Sequence, residues 1–138
     1  MRAKEFIDYL SSEGFDVFPD PNYMPDVEES QLPALFVFGS GGGEPDDELP
    51  MEFPTFQVIV KGKSYLSDFT QMDKTEQLAK SLINKVKEVD HRNIGANLVY
   101  YIRPMQSNPI PIGLDTRDRP VYSTNFRLRI QPIEEGSN

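Results

Sequence analysis

Hydrophobic positions change their period along the chain, and each change marks an element. In "RAKEFIDYLSSEG", Phe6, Ile7 and Leu10 recur at helical spacing as far as Gly14, a residue suited to the left-handed position that closes a helix. The next stretch, "FDVFPDPNYMPDVEESQLP", holds four prolines and many carboxylates. It predicts a brief strand at Phe15 to Phe18 and otherwise an irregular, exposed connection. "ALFVFG" and "TFQVIVKGK" are rich in aromatic and β-branched residues and predict two strands paired as a hairpin across a long glycine- and proline-containing loop.

From Asp68 to Asp90 the period becomes helical. Phe69, Met72, Ala79, Leu82, Ile83, Val86 and Val89 recur in steps of three and four, with Lys74, Glu76, Lys80, Lys85, Lys87 and Glu88 mainly between them. This is the main amphipathic helix. "NLVYYIRPM" and "PVYSTNFRLRI" then read as strands. In the second, Tyr122, Thr124, Phe126, Leu128 and Ile130 alternate with Val121, Ser123, Asn125, Arg127 and Arg129, so one face is wet or meets a partner. The turn "GLDTRDRP" joins them, and the end "EEGSN" predicts a frayed tail.

The order α-β-β-β-α-β-β predicts an α+β fold: an antiparallel β-sheet with one short N-terminal helix and one long amphipathic helix packed on it. A length of 138 residues suits one domain over 1–132, with a flexible loop at about 39–51 and a frayed tail at 133–138. The absence of cysteine removes disulfides, thiolate chemistry and Cys-ligated zinc, and suits a reducing compartment. No apolar run approaches the roughly 20 residues that cross a bilayer, and charges interrupt the N-terminal residues, so a soluble, unprocessed chain is expected.

Charge is distributed unevenly. Residues 1–60 hold 13 Asp or Glu against 2 Lys or Arg, a net of −11, whereas residues 61–138 hold 9 against 12, a net of +3. An acidic chain without a dense basic cluster is a poor nucleic-acid binder. The asymmetry fits solubility alone, or a charge-complementary head-to-tail contact between identical subunits, which closes into a ring when the rotation allows.

Candidate chemistry centres on "FGSGGGEPDDELP". A phosphate loop needs a lysine after its last glycine and a helix opening behind it, but Gly43 is followed by Glu44, Pro45 and then a strand. Asp46, Asp47 and Glu48 lack the alternating ligand spacing of a calcium loop, so a solvated acidic tip is expected, with no metal and no cofactor. The single histidine, His91, reads as a helix-terminal residue, and no serine elbow is present. Tyr100, Tyr101, Tyr122 and Phe126 could stack on bases, although alternating strand positions more often supply core and sheet surface. Catalysis by paired carboxylates stays open, because their separations are invisible in a sequence.

Two patches carry a family resemblance. "LPMEFPTFQVIVKGKSY" at Leu49 to Tyr65 and "IPIGLDTRDRPVYSTNFRLRI" at Ile110 to Ile130 resemble the minor capsid and tail completion proteins of tailed bacteriophages, which include tail terminators. The matching positions are Pro54, Thr55, Phe56, Gln57, Val58, Lys63 and Tyr65, then Gly113, Asp115, Arg119, Asn125 and Phe126, in order around the long helix.

That resemblance implies a structural virion protein and no enzyme. It implies a hexameric ring at the head-proximal end of the tail tube, which stops tube polymerisation and joins tail to head. The implied partners are further copies of the chain, the tail tube protein and head-tail connector proteins, with double-stranded DNA passing through the lumen unbound. A head-tail connector, another minor capsid protein and a small binding module outside phages are the alternatives. The expected contact residues are Gly41, Gly42, Gly43, Glu44, Asp46, Asp47 and Glu48 on a mobile loop that orders against a neighbour, with Arg117 and Arg119 facing the acidic half.

Overall fold

In the computed structural model, residues 1–46 and 48–133 are described, and of the tail expected at 133–138 all but Ile133 lies outside them. The elements are α1 (Ala3–Ser12), β1 (Ala34–Gly39), β2 (Thr55–Lys61), α2 (Gln71–Val86), β3 (Asp90–Ile94), β4 (Asn97–Pro104), β5 (Ile110–Leu114) and β6 (Pro120–Pro132). All six strands join one antiparallel sheet in the order β1-β2-β6-β4-β3, and β5 also pairs with β6. The α+β arrangement expected from the alternation of periods is the one observed.

The 13-residue β6 is the spine of the sheet. One of its edges pairs with β2, from Thr55↔Arg127 to Lys61↔Val121. Its other edge is shared in tandem: β5 pairs with its beginning, as in Ile110↔Ser123, and β4 with its remainder, as in Ile102↔Leu128. β1 and β2 form the expected hairpin, from Ala34↔Lys61 to Gly39↔Phe56.

Both helices lie on one face. Phe6, Ile7, Tyr9 and Leu10 of α1 and Ala79, Leu82, Ile83 and Val86 of α2 share a core with Val58, Val60, Phe126, Leu128 and Ile130. At its centre Phe6 stacks on Phe56, ring centroids 4.7 Å apart, with Phe126 at 6.2 Å. Burying such rings is the largest favourable term a core of this size has.

The proline-rich segment departs from the exposed connection expected of it. It is irregular apart from a 3-10 turn at Glu29–Gln31, but Val27 and Leu32 are buried. With Phe18 they pack on Ala34, Phe36, Ile59 and Val121, on the sheet face away from the helices. Proline excludes regular pairing without excluding burial, because ring and neighbours remain apolar. The brief strand at Phe15 to Phe18 reduces to one parallel bridge, Val17↔Leu35.

The long helix is shorter than its periodicity suggests. It begins at Gln71, leaving Phe69 outside it and 70% exposed, its ring beside Tyr65 at 5.0 Å. It ends at Val86. Val89 stays buried and so extends the apolar spacing past the last turn, while Asp90 already pairs with Tyr101 in β3. β3 is a polar edge strand, Asp-His-Arg-Asn-Ile, with no apolar alternation to reveal it. His91 is therefore a strand residue with φ of 46°, exposed, its Nδ1 2.5 Å from the Asp90 carboxylate, and not the end of a helix. β5 takes in residues 110–112, to which the sequence pattern assigned no element, and overlaps the turn beginning at Gly113 by two residues.

Candidate functional site

The residues expected to meet partners fall on two separate features, the loop between β1 and β2 and the turn between β5 and β6. The loop is framed by its own backbone. Gly43 N–H donates to the Phe53 carbonyl (2.9 Å), and Asp46 N–H donates to that of Met51 (3.2 Å). The Asp46 carboxylate accepts from the N–H groups of Glu48 (2.8 Å) and Leu49 (3.0 Å). These two bonds hold its pKa below the ordinary carboxylate value, with Arg129 adding a smaller attraction. The returning leg then runs beside β6: Glu52 and Ile130 exchange two backbone bonds, and Leu128 N–H donates to Pro54.

Two of the loop's glycines sit where only glycine is comfortable. Gly41 and Gly42 have φ of 82° and 79°, and a Cβ on Gly42 would stand 2.3 Å from the Phe53 carbonyl oxygen. Gly43, Glu44, Asp46 and Glu48 are exposed, and Asp47 lies outside the described residues. The frame presents a run of carboxylates to solvent.

The β5–β6 turn is built differently. Asp115 accepts from the N–H groups of Arg117 (2.8 Å) and Arg119 (3.0 Å), and its other oxygen meets the buried Lys61 Nζ at 3.0 Å. Burial alone would raise the Asp115 pKa; the backbone donors and Lys61 outweigh it and hold the carboxyl below its ordinary value. Arg117 is exposed and pairs with Asp26 at 2.7 Å.

Arg119 corrects the expectation made for it. Its side chain is 3% exposed, and its guanidinium is satisfied within the chain by Asp26 (3.1 Å), Glu29 (3.3 Å) and the Val27 carbonyl (2.9 Å). The acidic and basic halves do attract each other here, but inside one subunit. Arg119 pins the proline-rich segment to the sheet, and its buried guanidinium is committed within the subunit rather than aimed at a neighbour.

A feature the turn-centred expectation missed lies on the helix-free face of β4 and β6. Arg103 and Arg127 are cross-strand partners, as are Tyr101 and Arg129. The Arg103 guanidinium lies 4.1 Å from the Tyr101 ring centroid, and that of Arg129 lies 5.4 Å from the Tyr100 ring centroid. Tyr122 and Phe126, by contrast, are buried in the core. Strand alternation already placed Arg127 and Arg129 on one face; only the β4–β6 register adds Arg103.

Carboxylates of the interior are committed elsewhere. Glu5 joins α1 to the β3–β4 turn, accepting from Ala96 N–H (3.0 Å) and Asn97 Nδ2 (2.8 Å), and Glu13 binds Arg92 and Lys85. Among the described residues no group of three or more His, Asp or Glu side chains is placed to hold a metal ion, and no helix is long and apolar enough to cross a membrane.

An antiparallel sheet backed by two helices, with an acidic loop and a basic strip as its prominent surface features, defines an α+β module equipped for protein contacts. The sequence profile described as bacteriophage tail terminator protein matches residues 9–132, nearly the whole chain, and the protein belongs to that family. No curated protein and no solved structure matches it. It is a structural component of a phage tail, and its place is in the virion.

Proposed function

We propose that the protein forms a ring at the head-proximal end of the tail tube, stops tube polymerisation there and supplies the surface on which the filled head docks. The family match over residues 9–132 carries this reading. A tube grows by stacking like on like. A terminator must therefore bind the last tube ring with one face and present a different face outward, which suits a closed ring of identical subunits joined by heterologous contacts.

The proposed contact element is the loop from Gly41 to Glu48. Its hydrogen-bonded frame projects Glu44, Asp46 and Glu48 into solvent, where they suit a basic surface on a neighbour. The remaining acidic surface suits a lumen through which DNA slides, because carboxylates attract no phosphates. In this reading the partners are identical subunits, the tail tube protein and the connector of the head, and the fold is one domain.

The test is assembly of purified tail tube protein with and without this chain. Capped tubes of defined length, with the chain at one end only, are the expected result. Tubes that grow to the same lengths in its presence would overturn the terminator reading. Deleting Gly41 to Glu48 should leave the fold intact and abolish capping; an unfolded deletion variant would make the loop part of the fold instead.

A further inference from the structure

The three arginines on β4 and β6 have an arrangement that isolated folding does not favour. Arg103 and Arg127 stand directly opposite each other, and like charges in that register repel. Among the described residues none of Arg103, Arg127 and Arg129 has a carboxylate within ion-pair distance, whereas Arg92, Arg117 and Arg119 all do. Among the described residues the buried Arg129 Nε has no hydrogen-bond partner. A donor left in that condition pays an uncompensated desolvation cost, which an arriving acceptor would recover.

Among the described residues of the chain's own acidic loop, only Asp46 comes near this strip. The loop's returning leg is bonded to β6 on the edge that faces β2, through Glu52–Ile130 and Pro54–Leu128, whereas Arg103 stands on β4 at the opposite edge. Asp46 approaches only Arg129, and one of its oxygens already accepts two loop N–H groups.

We propose that the Arg103–Arg127–Arg129 strip is the seat for the acidic loop of a second copy, with Glu44, Asp46 and Glu48 of one subunit meeting the arginines of the next. This rests on the ring reading and specifies its subunit contact. The strip and the loop are different surfaces, so the contact is heterologous, as ring closure requires. Arginines stacked on Tyr100 and Tyr101 are already oriented, which lowers the ordering needed on docking. A duplex fits less well: it carries charge at every 1.7 Å or so of its length and would meet the flanking loop carboxylates together with the arginines.

Charge swapping tests the contact. Variant one carries Arg103→Glu, Arg127→Glu and Arg129→Glu; variant two carries Glu44→Lys, Asp46→Lys and Glu48→Lys. Each is checked for native circular dichroism and melting, then measured by light scattering across concentration at low and high salt. Native protein should associate more tightly at low salt, and each variant alone should associate about 100-fold or more weakly, since attractive pairs become repulsive. Mixed together, the two variants should regain native association at equimolar ratio, because both contacts of an alternating ring are then complementary.

Variant one assembling like the native chain would overturn the proposal. So would a folded pair that fails to associate when mixed, or a short duplex that the native chain retains and variant one releases. Native protein and mixed variants that both stay monomeric would overturn the loop-to-strip contact, while the tube-capping experiment separately decides the ring.

Discussion

The guanidinium of Arg119, itself closed to solvent, stands 3.1 Å from the Asp26 carboxylate across 93 residues of chain and also donates to the Val27 carbonyl. One side chain thereby ties the proline-rich segment, the 3-10 turn at Glu29 and the last strand together. Arg119→Met should remove about 2–3 kcal/mol of stability, mostly through the unsatisfied Val27 carbonyl and the lost tie to the proline-rich segment, since Asp26 and Glu29 keep access to solvent. Arg117→Met, at an exposed pair with the same Asp26, should change it by about 0.5 kcal/mol or less. Urea denaturation of both variants checks the contrast, and equal losses would refute the anchoring role of Arg119.

Asp115 makes that corner sensitive to acid. Its folded pKa lies below the ordinary value of 3.8, so folding favours the ionised form. The associated stability is fully present above the unfolded pKa and disappears as pH falls through the folded one. Asp115→Asn should lower stability at pH 7 and flatten its decline below about pH 4. Denaturation midpoints from pH 7 to pH 2 measure this, and parallel curves for the two proteins would count against it.

Tyr9 responds in the alkaline direction. Burial and the nearby Glu13 push its pKa up to about 12, against a smaller opposing pull from Arg92. Because the folded state favours the neutral phenol, its contribution to stability is complete below the unfolded pKa near 10 and is lost as pH rises towards 12. Ultraviolet titration of native protein and of Tyr9→Phe should show one late-titrating tyrosine missing from the variant.

Gly41 and Gly42 share a positive φ but not a neighbourhood. A Cβ on Gly41 meets nothing within 4 Å, whereas on Gly42 it strikes Phe53 and Pro54 backbone. Gly41→Ala should therefore cost about 1 kcal/mol from conformation alone, and Gly42→Ala about 2–3 kcal/mol with displacement of the loop. Thermal unfolding of each variant distinguishes the two positions; equal shifts would mean that the loop yields freely around Phe53.

Phe6 anchors the short helix in the core between Phe56 and Phe126. Phe6→Ala should lose about 3–5 kcal/mol, and Phe6→Leu considerably less. Chemical denaturation checks both.

Periodicity along the chain determined the class of fold, the β1–β2 hairpin, the core stripe of α2 and the outward face of β6, because each depends on neighbours in sequence and on a repeat that burial imposes. β3 and β5 were illegible because neither has a buried face to write a pattern: β3 is polar up to Ile94, and the apolar Ile110, Ile112 and Leu114 of β5 are exposed and interrupted by Pro111 and Gly113. The motif around Asp115 and Arg119 was visible as residues, but its meaning was not. Only the tertiary structure brought Asp26 and Glu29 to Arg119, closing inside one subunit the charge attraction that composition had suggested between subunits. The strip of Arg103, Arg127 and Arg129 likewise exists only through the register of β4 on β6, since Arg103 and Arg127 are 24 positions apart in sequence and become neighbours by backbone hydrogen bonding. Local pattern decides which residues face inward, whereas long-range pairing decides which charges meet, because ion pairs are set by distances that the folded backbone alone defines.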